Sequence, residues 1–72
     1  MKKVLDDRVE YRNSNGEYHR TDGPAVMSAN GGKWWFINGN RLADMYEGEV
    51  TIFTKVIPTA IKQSIAMELL KV

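Results

Sequence analysis

Apolar and polar residues alternate along most of this chain, and short polar clusters interrupt the alternation at regular places. Residues 4–12 end in such a run: Val9 and Tyr11 would face one way, Glu10 and Arg12 the other. Asn13-Ser14-Asn15-Gly16 reads as a turn. Asn tolerates positive φ and Gly accepts it freely, so Asn-Gly suits the primed hairpin turns whose twist matches the flanking strands. Glu17 to Arg20 then reads as a short return strand. Thr21-Asp22-Gly23-Pro24 is a second break, because proline cannot donate to a ladder. Ala25–Ala29, Lys33–Ile37, Arg41–Asp44 and Val50–Val56 read as further strands. The turns between them are Asn30-Gly31-Gly32, Asn38-Gly39 and Glu47-Gly48-Glu49.

Pro58 changes the period. Its missing N–H costs nothing in the first turn of a helix. Beyond it, Ile61, Ile65, Leu69 and Val72 fall on one stripe, with Ser64, Glu68 and Lys71 as a polar wedge beside it. The pattern predicts an α+β fold in a single domain spanning 1–72. A small antiparallel β-meander of four to five strands over 1–56 is followed by one C-terminal α-helix, 58–72, packed on one face of the sheet. The helix has no good N-cap and is marginal without packing. Val9, Tyr11, Val26, Met27, Trp34, Phe36, Ile52, Ile61, Ile65 and Leu69 are the expected core, with either face of each strand admissible.

A single helix leaves this sheet with an unsolved problem. In Lys33–Ile37, Trp34 and Phe36 point to one face, and Trp35 and Ile37 to the other. Both faces are therefore apolar, and one helix covers one face. The helix itself carries Ala66, Met67 and Leu70 off its main stripe. An exposed apolar patch of that kind marks an interaction site. Trp is enriched at interface hot spots and Met adapts to irregular partners. Trp35, Met67 and Leu70, with Arg41 nearby, are accordingly the expected partner-binding residues. The same patch would serve a homodimer, and an exposed strand edge offers a further route.

Composition narrows the remaining classes. A chain of 72 residues with no cysteine has neither a disulfide nor a thiolate zinc site. A domain this short buries only about 60% of the surface its unfolded form exposes, so oligomerisation is a live support. Ten basic and nine acidic residues give a net charge of +1. That balance argues against a strong nucleic-acid footprint and against an acidic DNA mimic. Met1-Lys2-Lys3 leads into Val-Leu-Asp-Asp, which does not read as a signal peptide, and no apolar run approaches a membrane span. The expected location is cytoplasmic, with no membrane partner.

The segment Tyr18-His19-Arg20-Thr21-Asp22-Gly23-Pro24-Ala25, followed by Lys33-Trp34-Trp35-Phe36-Ile37-Asn38-Gly39, resembles a short repeat of the form N-G-x-x-H-R-x-D-G-P-A then W-x-x-N-G. Repeats of this kind occur in uncharacterised proteins of tailed bacteriophages and some bacteria, and are loosely similar to MORN-type β-hairpin repeats. The unit from Asn15 to Ala25 matches well. After Asn38-Gly39 the His-Arg pair and the Asp-Gly-Pro-Ala run are missing, so the likeness covers under half of the chain. The resemblance implies a β-meander, a phage origin and therefore a host-cell cytoplasm. It implies no enzyme activity. By analogy with small phage proteins it implies binding to a host protein and inhibition or redirection of it.

Candidate chemistry is sparse. His19 as a general base oriented by Asp22 lacks a paired nucleophile. The structural alternative is that Asp22 caps the turn while His19 or Arg20 braces it. Asp6, Asp7 and Asp22 have no metal-site spacing, and Gly31-Gly32-Lys33 has no Walker spacing. No cofactor and no metal are expected. The rival to protein binding is a single-stranded nucleic-acid platform, in which Trp34 stacks and Lys33 and Arg20 supply charge, with Arg41 nearby.

Overall fold

Tight turns at positive φ reverse the chain three times in its central part. Gly31 (φ 96°) lies between the third and fourth strands, Asn38 and Gly39 (48° and 80°) between the fourth and fifth, and Glu47 and Gly48 (51° and 82°) between the fifth and sixth. Two consecutive left-handed residues are the signature of the I′ hairpin turn. The resulting computed structural model describes residues 1–71. Six strands form one antiparallel sheet in chain order. They are β1 (Lys2–Val4), β2 (Arg8–Tyr11), β3 (Val26–Ser28), β4 (Lys33–Ile37), β5 (Asn40–Tyr46) and β6 (Glu49–Ile52), followed by helix α1 (Thr59–Leu70).

The α+β meander with one terminal helix is as the pattern predicts, with one strand more. β1 is the addition, a three-residue exposed strand paired with β2. Glu17–Arg20 differs from expectation: it forms one bridge, Arg12↔Tyr18, instead of a strand. The side of β2 it would have occupied is taken by β3. The 17–24 segment instead fills the corner between the ends of β2 and β4. The His19 N–H donates to the Tyr11 carbonyl, the Arg20 N–H to Phe36 and the Gly39 N–H to Tyr18.

Register assigns the faces. Trp35 stands opposite Ala43 and Lys33 opposite Met45, while Phe36 stands opposite Arg41. The slip between Trp35 and Phe36 is a β-bulge, which leaves Leu42 as the extra residue beside Ala43. Trp35, Leu42, Ala43 and Met45 are buried with Ile61 and Ile65 of the helix, and Ile37, Val50 and Ile57 pack against them. The indole N–H of Trp35 donates to Ser64 Oγ at 3.0 Å. Lys33 Nζ lies 3.5 Å from Glu68 Oε1, near the other end of the helix. The helix therefore lies along β4 and β5. Pro58 is its N-cap rather than a first-turn residue, and no side chain caps it.

The core accordingly differs in parity from the expected one. Val26, Ile61 and Ile65 are buried. Val9, Tyr11, Met27, Trp34 and Phe36 are half-buried, and Ile52 and Leu69 are exposed. Ser64 and Glu68 touch β4, so the periodicity of the helix puts Ile65 and Leu69 on its opposite flank, toward β6. The fourth stripe residue, Val72, lies outside the described residues. No described helix is long and apolar enough to cross a membrane.

Removing the Trp35 side chain should cost about 3–5 kcal/mol, the range for a large buried aromatic. Ile65→Asp should leave the chain without a cooperative transition, because it buries an unpaired charge. Urea unfolding followed by circular dichroism reads both, and a wild-type midpoint for either would contradict the packing of α1 on β4 and β5.

Candidate partner-binding surface

Trp35 cannot contribute to a binding surface. It has no exposed area, and Ser64 of the covering helix accepts its only polar hydrogen. A position expected at the partner-binding surface is thus the centre of the core, because the helix lies on this face of β4 and not on the face of Trp34. The other expected binding residues are exposed but dispersed. Met67 and Leu70 are 58% and 82% exposed on the outward side of α1. Arg41 lies on the opposite side of the sheet, with Cζ 3.9 Å from the ring centroid of Phe53. The structure does not bring the four together.

What it does bring together is a set of residues on the helix-free face. Val26 pairs with Trp34, Trp34 with Asp44 and Phe36 with Arg41, which puts all of them on that face. Trp34 meets Tyr46 edge-on, with ring centroids 5.2 Å apart and planes at 86°. Tyr18, carried in from the 17–24 segment, packs on Phe36 at 5.2 Å. Tyr18, Val26, Trp34, Phe36 and Arg41 enclose a shallow depression of about 250 Å³. Trp34, Phe36 and Tyr18 remain half-buried there, with no described element over them.

Next to this depression lies a charged network absent from the sequence reading. Glu10 is on the same face, opposite Val26, and is only 1% exposed. Arg8 Nε donates to it at 2.6 Å, Arg12 Nε at 3.0 Å and the Tyr18 hydroxyl at 3.1 Å. Arg12 also stacks over the Tyr18 ring, 4.2 Å from its centroid. The hydrogen bond from Arg8 pulls the Glu10 carboxyl down. Burial opposes this, but Arg12 and Tyr18 add to it, and the group is held at about 2. The available signal was the spacing Arg8-x-Glu10-x-Arg12. A period of two puts all three on one strand face, where the arginines flank the carboxylate.

The His19-Arg20-Asp22 constellation is structural. Asp22 pairs with Arg20 at 2.9 Å, not with His19. His19 Nδ1 accepts the Asn38 N–H at 2.9 Å, which leaves the proton of the neutral ring on Nε2. Arg20 stacks 4.0 Å over Tyr11, and its NH1 donates to the Pro24 carbonyl. A Cβ at Gly23 would fall 2.7 Å from Arg20 Cζ, so any larger residue there would push the guanidinium out of this position. Ala25 is fully buried, its N–H donating to Trp34 and its carbonyl accepting from Tyr11. His19, Arg20 and Ala25 thus tie this segment to β2, β4 and the turn after β4, while Asp22 and Gly23 hold and make room for Arg20.

Of the residues expected for nucleic acid, Trp34 and Arg41 are on the open face. Lys33 projects to the helix side and pairs with Glu68. Burial raises the Glu68 carboxyl, but Lys71 and Lys33 outweigh burial and hold it below the usual range. Arg20 is engaged with Tyr11 and Asp22. Among the described residues no group of three His, Cys, Asp or Glu side chains is placed to hold a metal. Asp7 instead pairs with Arg8 at 2.9 Å.

Because the folded Glu10 carboxyl sits at about 2 against an ordinary 4.5, its stabilising contribution is complete above pH 4.5. It is lost as pH falls from 4.5 toward 2. Glu10→Gln should cost about 1–3 kcal/mol at neutral pH, the lower end being favoured by the partial exposure of both arginines. The substitution should also flatten the acid limb of the stability profile between those pH values. An unchanged acid limb in thermal melts of Glu10→Gln would show that the network does not carry it. Comparison with protein-family models, curated proteins and solved structures gives no match for this chain.

Proposed function

We propose that this chain is a non-enzymatic binding protein, a phage accessory protein that docks on a host bacterial protein and inhibits or redirects it. The observation that carries the reading is the uncovered sheet face, where Tyr18, Trp34, Phe36 and Arg41 ring a depression. Trp, Tyr and Arg are the residue types most enriched at interface hot spots, and they act from pockets of this kind. The stacked pairs Tyr18–Phe36 and Trp34–Tyr46 hold the rings in place before binding, which lowers the ordering cost of association. The phage assignment rests on the repeat-like segment from Asn15 to Gly39.

The test is affinity capture from a bacterial lysate with the wild type, a Trp34→Ala/Arg41→Ala variant and a Met67→Ser/Leu70→Ser variant. The face variant should recover the wild-type partner at least about tenfold less, the effect of losing one hot spot. The helix variant should recover it fully. Equal recovery by the face variant, with its fold intact by circular dichroism, would remove the open face from the account.

The same rings supply the ingredients for single-stranded nucleic acid, since bases stack on aromatic residues of an open sheet beside arginine. Against this reading, Lys33 and Arg20 lie off that face, and Glu10 offsets the charge of Arg8 and Arg12. Nucleic-acid binding would show as quenching of tryptophan fluorescence by an oligonucleotide, falling steeply with salt. The expected result is no quenching at low salt.

A further inference from the structure

We infer that β6 is the contact strand of a homodimer, in which two copies of the chain join edge to edge about Ile52. The sheet has two outer strands, and they are built differently. β1 carries Lys2 and Lys3, both exposed, and lysines on an edge discourage strand pairing. Within β6 only Glu49, at its start, is charged, and the chain from Val50 to Thr54, which runs two residues past the strand, carries no charge. That stretch is Val50-Thr51-Ile52-Phe53-Thr54, which is β-branched or aromatic throughout, and Ile52 and Phe53 are half exposed.

The ladder to β5 shows which backbone groups are free. The turn residues Glu47 and Gly48 leave Tyr46 opposite Glu49, and the pairing continues through Thr51 opposite Asp44. The Phe53 N–H donates to Leu42. Antiparallel ladders alternate, so Glu49, Thr51 and Phe53 direct their N–H and C=O groups at β5. Val50, Ile52 and Thr54 direct theirs at the open side. No described strand accepts them.

A second copy fits this edge in register. With a twofold axis at Ile52, each Ile52 pairs with the other, and Val50 pairs with the partner's Thr54. The outward-facing residues of one edge then meet only outward-facing residues of the other, as an antiparallel ladder requires. On the helix side the two Ile52 side chains meet, each in line with Ala43 and Trp35 of its own sheet. On the open side Thr51 meets the partner's Phe53, whose ring Arg41 already holds. Glu49, at the start of β6, and Lys55, at the bend where the chain leaves the strand, stand three places either side of Ile52, so in this register each Glu49 carboxylate comes level with the partner's Lys55 at the ends of the contact. This charge complementarity selects a second copy over an arbitrary foreign strand. An isologous interface of this kind is self-complementary and closes at two subunits. It leaves the depression around Trp34 open, so it is independent of the proposed docking function.

The test is light scattering across a concentration series, from micromolar to millimolar. The expected species has twice the 8.2 kDa mass of one chain. Ile52→Lys puts two like charges opposite each other at the axis and should raise the dimer dissociation constant by about tenfold or more. The side chain is exposed, so circular dichroism should show an unchanged fold. Glu49→Lys should weaken the dimer, and Glu49→Lys with Lys55→Glu should restore it, which a merely structural effect would not do. Any of three results would overturn the inference. They are a wild type that stays monomeric throughout the series, a dimer indifferent to Ile52→Lys, or failure of the charge swap to restore association.

Discussion

A helix about 10 Å across, laid on strands about 4.8 Å apart, shelters two of them. In this chain those two are β4 and β5, and the rest of the structure follows from that limit. Trp35 lies under Ser64 and carries the largest buried side chain. The bulge after it folds Leu42 into the same cluster beside Ala43. The strands beyond these two receive little cover on the helix side: Val50 still packs on the core, but Val9 and Met27 stay half-buried and Ile52 stands open at the edge.

The face without a helix shields itself from within. Arg8, Arg12 and Tyr18 close over Glu10, converting a carboxylate into a buried hub with three donors. A buried charge is tolerable only with partners of this kind. Tyr18 links this hub to the aromatic cluster, because the same ring that donates to Glu10 packs on Phe36. The self-shielding is incomplete around Trp34 and Arg41, and the surplus there is what a binding partner could use. The structure thus divides its apolar excess between a buried side under α1, a half-open aromatic side and an unguarded strand edge.

The repeat-like residues read as structural once their contacts are seen. His19 braces the Asn38-Gly39 turn, Arg20 is clamped among Tyr11, Asp22 and Pro24, and Gly23 gives it room. A His-Arg-x-Asp-Gly-Pro-Ala signature can therefore persist for the sake of a corner between strands, with no chemistry attached. The proposed binding residues Trp34, Phe36 and Arg41 lie beside this corner and not within it.

Local residue order determined a good deal by itself. Asn38-Gly39 and Glu47-Gly48 dictated where the chain turns, because few residues accept positive φ. Alternation marked β2 to β6, and the fourfold spacing of Ile61 and Ile65 marked the buried line of α1. These are near-neighbour effects, set by backbone sterics and side-chain period. Which face of β4 meets the helix was open, since Trp34-Trp35-Phe36-Ile37 is apolar on both sides. Only the tertiary structure chose Trp35, through the bulge at Leu42 and the hydrogen bond to Ser64. It likewise decided that Glu10 is buried and that 17–20 is a corner instead of a strand. Those outcomes depend on which distant segment takes each strand edge and each sheet face. That competition has no expression in the spacing of residues along the chain.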